Sequence, residues 1–544
     1  MALQKNKIYR AEITGYTAEG ASVARIEGIA VFIPGGAVGD QCDIKILKVK
    51  KNLAFGRIER IVVSSKHRIE PACPYAGKCG GCCFQHIVYE EELRAKAMKV
   101  TDALRRIGGI EGIFEGIIGA PEQEHYRNKA QYPVGQDENG AYIGFYRPHS
   151  HDIVKAADGC RITSQTANQI AAIVCDWMTE YAVPAYAEDS KEGLIRHIYV
   201  RTGASTGESQ LCLVTARRGL PAKEALIERL TAAIPGLTSI VQNINRRTDN
   251  VILGDKTITL WGHPAMQDVL CGNVFQISPH AFYQVNHAQA EKLYQCALDF
   301  AALSGTENVV DLYCGAGTIT LALAEKARHV TGIEVVAEAV QNAWDNAERN
   351  QIPNVKFICA DAGQAAMMLA QQGEQPDVLV VDPPRKGLTT ETIDAIAAML
   401  PTRIVYVSCD PATLARDCKQ LAGHGYQAAR AKAFDMFPRT SHVETVVLLS
   451  QQKPDDTIEI DLDLDELDAT AVETKATYEE IKAYVWEKHN LKVSNLYVSQ
   501  IKRKCGLEVG QNYNLSKSEN PKVPKCPPEK EAAIMDALKY FQMI

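Results

Sequence analysis

Seven short apolar runs between residues 308 and 450 constrain this chain more than any other feature. They are "NVVDLYC", "HVTGIEV", "VKFICAD", "PDVLVVD", "RIVYVSC", "QAARAKAFD" and "ETVVLLS", and helix-like stretches separate most of them. Strand alternating with helix predicts a doubly wound, Rossmann-like α/β sheet. Such sheets take ligands in a crevice at the carboxyl ends of their strands. The residues that matter should lie where each run stops.

The first run carries Asp311 and leads into a glycine turn, then a helix, "NVVDLYCGAGTITLALA". Gly315 and Gly317 let backbone approach a ligand there. A nicotinamide fingerprint wants a third glycine three positions on, where Thr320 stands, so a dinucleotide reading is weakened. Asp311 before the turn and Glu334 at the end of the next strand suit S-adenosylmethionine, the second carboxylate accepting hydrogen bonds from ribose hydroxyls. Cys314, inside the turn, reads as packing. The fourth run ends on Asp382, and Pro383 and Pro384 stop it from pairing onward. The fifth ends on Cys409, with Pro411 close behind. Glu444 opens the last run, and carboxylates seldom open an apolar strand unless paired or working.

A methyl donor beside a thiol suggests one chemistry. C5 of uracil is too weak a nucleophile to take a methyl from a sulfonium. A thiolate added at C6 turns C5 into an enolate-like carbon that can attack. A base must then remove the C5 proton so that the thiol can leave. Cys409 suits the nucleophile and Glu444 the base. The bland alternative for Cys409 is a small buried hydrophobe.

"QVN", "DLYCGAGT", "DPPRKG", "VSCDPATLARD" and "HVET", in this order and spacing, resemble the RNA uracil-5-methyltransferase family. Within it the likeness is to the bacterial 23S ribosomal RNA branch, and it spans roughly residues 1–451. The resemblance implies Cys409 as nucleophile, Glu444 as proton-abstracting base, and Gln284, Tyr313, Glu334 and Asp382 as holders of S-adenosylmethionine. It also implies an N-terminal TRAM domain that binds RNA. RNA cytosine-C5 enzymes typically release product with a second cysteine after an Asp-Ala-Pro-like turn. Here Arg385 follows the prolines, which favours uracil.

"CPYAGKCGGCCFQH" places Cys73, Cys79 and Cys82 at C-x5-C-x2-C, and "AADGC" offers Cys160 as a distant fourth thiol. Four thiolates suit either an all-thiolate zinc site or a [4Fe–4S] cluster. The resemblance implies the cluster, in a structural or RNA-positioning role. Cys83 reads as a bystander and His86 as a satisfied surface histidine.

The expected architecture is multidomain α/β plus β. Residues 1–64, with five evenly spaced β-rich runs, predict a small TRAM/OB-like barrel. Lys45, Lys48, Lys50, Lys51, Arg57 and Arg60 form either a phosphate-binding face or a solvated edge. Residues 65–275 read as a central β domain with the four cysteines, entered by a helix to about residue 108. Within it, residues 120–275 look antiparallel and all-β. Tyr126, Arg127, Lys129 and Tyr132 suit base stacking with phosphate contacts, or an ordinary half-exposed strand. Residues 276–451 form the methyltransferase domain, 452–476 an acidic linker, and 477–544 a helical appendage whose start fits a capping box, Thr477 with Glu480.

The net charge of −7 looks wrong for an RNA binder. Residues 455–473 hold nine Asp and Glu and no Lys or Arg, however, and −7 + 9 = +2 for the rest. No signal peptide or membrane span is expected, so the protein should work in the cytoplasm. The expected partner is 23S ribosomal RNA, bound at a loop with a flipped-out uridine. Transfer RNA is the alternative substrate. A non-catalytic RNA-binding or folding protein that retains a donor site is the alternative class.

Overall fold

The computed structural model describes residues 3–148, 150–156, 158–451, 478–505, 526–541 and 543. The chain divides into two compact units, Met1–Asp455 and Asp456–Ile544. The acidic segment 452–476, and Thr477 of the expected capping box, lie outside the described residues.

Strands Ile8–Tyr16, Ser22–Ile26, Ile29–Ile33, Gln41–Val49 and Leu53–Val63 close into a barrel in the order first, second, third, fifth, fourth. Alternation along them turns Ile13, Val31, Ile33, Ile44 and Ile46 inward. Of the basic cluster, Arg60 pairs with Asp43 at 2.8 Å and Arg57 with Glu59 at 2.8 Å.

The central section carries a seven-stranded sheet in the order Lys256–Gly262, Leu237–Ile244, Ser209–Thr215, Ile195–Thr202, Lys129–Asp137, Gly140–Tyr146, Ile153–Lys155. The section is rich in strands as expected, but it is neither all-β nor wholly antiparallel. Helix Gln165–Glu180 packs on the sheet with Ala167, Ile170, Ala171, Val174, Trp177 and Met178 buried. That is helical spacing, and Ser164 caps it by accepting the Ala167 N–H at 3.2 Å. Ser209–Thr215 and Leu237–Ile244 run parallel. Parallel neighbours need a crossover, and helix Lys223–Ala233 supplies it.

Eight strands form the second large sheet, in the order Val355–Cys359, His329–Glu334, Asn308–Leu312, Val378–Val381, Arg403–Ser408, Glu444–Gln451, Tyr426–Phe434, Phe114–Ile118. The first five are mutually parallel, and Glu444–Gln451 is antiparallel to both its neighbours. All seven runs of the sequence reading are present. The eighth strand comes from the stretch that the sequence groups with the cysteines. Phe114–Ile118 pairs in parallel with Tyr426–Phe434. Helix Tyr89–Ala103 and the π-turn Leu104–Gly108 before it bury Val100, Ala103 and Leu104 in the same core as Val310, Tyr406 and Leu449. Residues 89–118 thus build onto the α/β sheet.

The second unit has three helices, Tyr478–His489, Asn495–Lys504 and Pro528–Tyr540. Ile481, Val485, Val498, Ile501, Ile534 and Leu538 form its core. Lys504, at the end of Asn495–Lys504, pairs with Glu531 of Pro528–Tyr540. Among the described residues no helix is long and apolar enough to cross a membrane.

Candidate active site and a thiol-lined cavity

The sheet turns the ends of its strands toward one cavity of about 990 Å³. Gln284, Asp311, Tyr313, Gly315, Glu334, Asp382, Cys409 and Glu444 all line it, together with Arg127, Lys129, Phe282, Arg385, Phe437 and His442. The carboxylates and the thiol that the sequence singles out therefore meet in one place.

Each is positioned by its own strand or turn. After Asn308–Leu312 the backbone reverses through Tyr313, Gly315 and Gly317, at φ of 70°, 56° and 83°. That left-handed region suits glycine, and Tyr313 adopts it at a cost. A Cβ on Gly315 would meet nothing within 4 Å, so the backbone there is open to a ligand. Gly317 does not line the cavity. A Cβ there would come to 3.3 Å from Ala343, so its smallness serves packing. Glu334 accepts the Gly315 N–H at 3.2 Å and the Val336 N–H at 2.9 Å.

Asp311 is buried and accepts the Thr320 hydroxyl at 2.5 Å, while its other oxygen has no partner. Burial, then the charges of Asp382 and Glu334, push it up to about 7 against the Thr320 bond. Burial also pushes Asp382 up to about 7. Glu444 goes to about 8, through burial and then Asp382, with Arg385 pulling the other way. Cys409 is half-buried and rises to about 11, through burial and then the charges of Glu444 and Asp382, again opposed by Arg385. Asp410, the next residue, accepts the N–H groups of Ala412 and Thr413 at 2.8 and 3.1 Å, which starts helix Pro411–Gly423. The strand cannot continue, and the thiol stands at its end.

Sequence reading did not single out His442 or Phe437 as site residues. Both sit on the loop 435–443 that leads into Glu444. This loop is held through its carbonyls. Asp435, Met436, Phe437, Pro438 and Ser441 accept from Gln289, Asn286, Lys96, Tyr126 and Lys99 at 3.0, 3.3, 3.2, 3.0 and 3.0 Å. Lys96, fully buried, also bonds Glu92 at 2.7 Å and Asp435 at 2.6 Å. Burial, then Arg385, Lys99, Lys96 and Arg127, lower His442 to about 4, so it is neutral near pH 7. The only sequence sign of this loop was "HVET" itself.

The four cysteines meet too. Cys73, Cys79, Cys82 and Cys160 line a cavity of about 290 Å³ with Tyr75, Gln85, Arg127, Lys129 and Phe145. Cys83 does not line it. Its N–H and that of Phe84 donate to the Arg439 carbonyl at 2.9 and 3.1 Å. Among the described residues no group of three His, Cys, Asp or Glu that could hold a metal ion is found. The thiols surround a space rather than converge on a point. His86 is buried, not on the surface, with Nε2 at 3.0 Å from the Gly36 carbonyl. Tyr132 is also buried, bonded at 2.8 Å to Thr163 and at 2.8 Å to Asn168, and Tyr126 is occupied by Pro438. Tyr132 is therefore not free to stack on a base, Tyr126 is half-buried, and Arg127 and Lys129 face the cavities.

Residues 88–452 match the family model described as tRNA (uracil-5-)-methyltransferase, and residues 2–58 match the TRAM domain. An RNA methyltransferase of Clostridium tetani is 43% identical over 448 residues, covering 82% of this chain and 97% of its own. One of Halalkalibacterium halodurans is 43% identical over 448 residues, covering 82% and 98%. Both are described as uncharacterized. The Pyrococcus abyssi tRNA (uracil-54, C5)-methyltransferase, solved with S-adenosyl-L-homocysteine, superposes with a TM-score of 0.66 at 27% identity, covering 81% of this chain and all of that one. With its strand-end cavity and closed N-terminal barrel, the chain belongs to the RNA uracil-5-methyltransferase family, as an S-adenosylmethionine-dependent RNA methyltransferase with a TRAM domain.

Proposed function

We propose that the protein methylates C5 of a uridine in 23S ribosomal RNA through a covalent bond from Cys409 to C6. The observation that carries this reading is the meeting of Cys409, Glu444 and Asp382 in the cavity that Gln284, Tyr313 and Glu334 also line. When bound, S-adenosylmethionine supplies an electrophilic methyl on a cationic sulfur. Gln284, Tyr313, Glu334 and Asp382 hold it, Asp311 supports the turn, and Gly315 leaves room for it. Cys409 Sγ, as thiolate, adds to C6 and sends electrons through C5 toward the C4 carbonyl. C5 then takes the methyl as the bond from methyl to the donor's sulfur breaks, leaving the donor as a neutral thioether. Glu444 removes the C5 proton, the double bond re-forms, and the Cys409–C6 bond breaks. Arg385 opposes the rise in both Cys409 and Glu444, and a sulfonium in the same cavity would act with it.

Cys73, Cys79, Cys82 and Cys160 are read as holders of a [4Fe–4S] cluster. Zinc draws four sulfurs to about 2.3 Å from one point, and thiols spread around a cavity fit a larger group better. With four protein thiolates there is no open iron, so its role is to hold the loop 73–82 against residue 160.

Transfer RNA is the second reading, favoured by the likeness to the P. abyssi enzyme. Unmodified 23S ribosomal and transfer RNA transcripts, offered separately with labelled donor, decide between them. Label at C5 of uridine in the ribosomal transcript alone supports the first. Label in the transfer RNA alone overturns it.

A further inference from the structure

The two cavities share a wall. Arg127 and Lys129 line both. Between them, Asn128 donates its backbone N–H to the Val285 carbonyl at 2.9 Å and its side-chain amide to the Gln284 carbonyl at 2.8 Å. The Arg127 N–H donates to the Ile162 carbonyl at 2.9 Å, two residues from Cys160. The backbone under the two cations is therefore fixed from both sides. Arg201, buried close to Lys129, adds a third positive charge. Its guanidinium is engaged with the carbonyls of Pro279 and Ala281. Among the described residues none of the three cations forms an ion pair. Arg201 is buried and Arg127 and Lys129 are half-buried. The three like charges therefore repel one another where solvent screens them little, and none is matched by an ion pair of its own. They make sense where an anion arrives from outside.

We propose that Arg127 and Lys129 form a subsite for a phosphodiester of the RNA strand beside the target uridine. This rests on the uracil-methylation reading and adds residues to it. A nucleotide turned into the cavity brings its flanking phosphates to the rim, and rigid cations there fix which nucleotide enters. The carboxylates at the site come from the strand ends of the eight-stranded sheet. The two cations come from the start of the interior strand Lys129–Asp137 of the central sheet, outside the turn at 313–317 where the donor is placed. Gln284 adjoins them through Asn128, so the donor's own carboxylate is the rival anion, and the test below tells the two apart.

The test uses full-length R127Q, K129Q and K129R beside wild type, on whichever unmodified transcript, ribosomal or transfer, the wild type methylates. Lys129 makes no side-chain hydrogen bond among the described residues, so K129Q breaks none even where R127Q is poorly folded. The expected result is a roughly tenfold higher KM for RNA with kcat nearly unchanged. The slope of log affinity against log salt should be shallower by about 0.7 per cation removed. K129R should restore both, while the KM for donor and the iron content stay at wild-type values. A raised donor KM with unchanged RNA binding would assign the cations to the donor. Lost iron with unchanged RNA binding would assign them to the thiols. Either result, or no change at all, overturns the subsite. If the wild type methylates neither transcript, the functional reading fails first and the subsite falls with it.

Discussion

The catalytic cavity and the thiol-lined cavity meet at residues 127–129, yet they are built in opposite ways. In the first, the groups proposed to work stand where strands end or begin: Asp382 after Val378–Val381, Cys409 after Arg403–Ser408, Glu444 opening its strand. Regular backbone carries them, so position in the chain dictates position in space. In the second, three thiols come from one irregular loop and the fourth from a turn far along the chain, before helix Gln165–Glu180. The loop is held from elsewhere, by Tyr146 O accepting from Gly80 at 3.2 Å and by Arg439 O accepting from Cys83 and Phe84. A rigid sheet makes a site legible; a pinned loop makes one that depends on its neighbours.

The first way to break this contrast is Cys409→Ala. If strand-end chemistry is confined to the catalytic cavity, methyl transfer falls by about 10,000-fold or more while the proposed cluster is retained, read as iron per chain. Loss of iron in that variant would join the two sites.

Glu444→Gln comes next. Loss of a general base costs roughly 100- to 10,000-fold, and the covalent intermediate should accumulate because its C5 proton is not removed. The base must be ionised, and burial lifts Glu444 to about 8. Wild-type activity should therefore rise with pH along a limb above the ordinary carboxylate range, moved toward lower pH by a bound sulfonium. Glu444→Gln should lack this limb and keep only the rise at higher pH that follows Cys409, which burial lifts to about 11. A pH profile of kcat/KM reads both.

Lys96→Met tests where the cavities depend on each other. It leaves Glu92 and Asp435 buried without their cation, which costs about 3–5 kcal/mol, and frees the loop that presents Phe437, His442 and the Arg439 carbonyl. Methyl transfer and iron content should fall together, with a lower unfolding midpoint for the first unit. Falling activity with full iron retention would show that the thiol loop needs no such support.

The smallest effect is Asp382→Asn on stability. The folded chain raises this carboxyl to about 7, so its ionised form is disfavoured by folding. Below the unfolded value near 4 both states are protonated and nothing is lost. The loss grows as pH rises and is complete above about 7. Asp382 is partly exposed, so solvent trims the effect to about 1–2 kcal/mol. Asp382→Asn should abolish activity yet raise the midpoint by a few degrees at pH 8, a gain that fades toward pH 4.

Much of the α/β sheet was legible because unbroken apolar runs and helix-length spacers leave few alternatives. The order of motifs along it brought Gln284, Tyr313, Glu334, Asp382, Cys409 and Glu444 to one crevice. Helix Gln165–Glu180 was missed although its apolar spacing and Ser164 cap were both present, because strand-like runs on either side coloured the reading. Strand Phe114–Ile118 was missed for a different reason. It gains its place only by pairing with Tyr426–Phe434, some 300 residues later, and local pattern carries no trace of that. The buried roles of Tyr132 and His86 were hidden for the same reason, since each is set by a partner remote in sequence. Gly317, singled out for ligand approach, does not line the cavity, and a Cβ there would come to 3.3 Å from Ala343.

The most direct test of the covalent route is mass spectrometry on the enzyme incubated with donor and 5-fluorouracil-substituted RNA. Fluorine at C5 leaves no proton for Glu444 to remove, so the adduct should persist after methyl transfer. Trypsin should then release residues 404–416 carrying a methylated fluoropyrimidine nucleotide on Cys409. A methylated product with no protein–RNA bond, or a bond to any residue other than Cys409, would contradict the account.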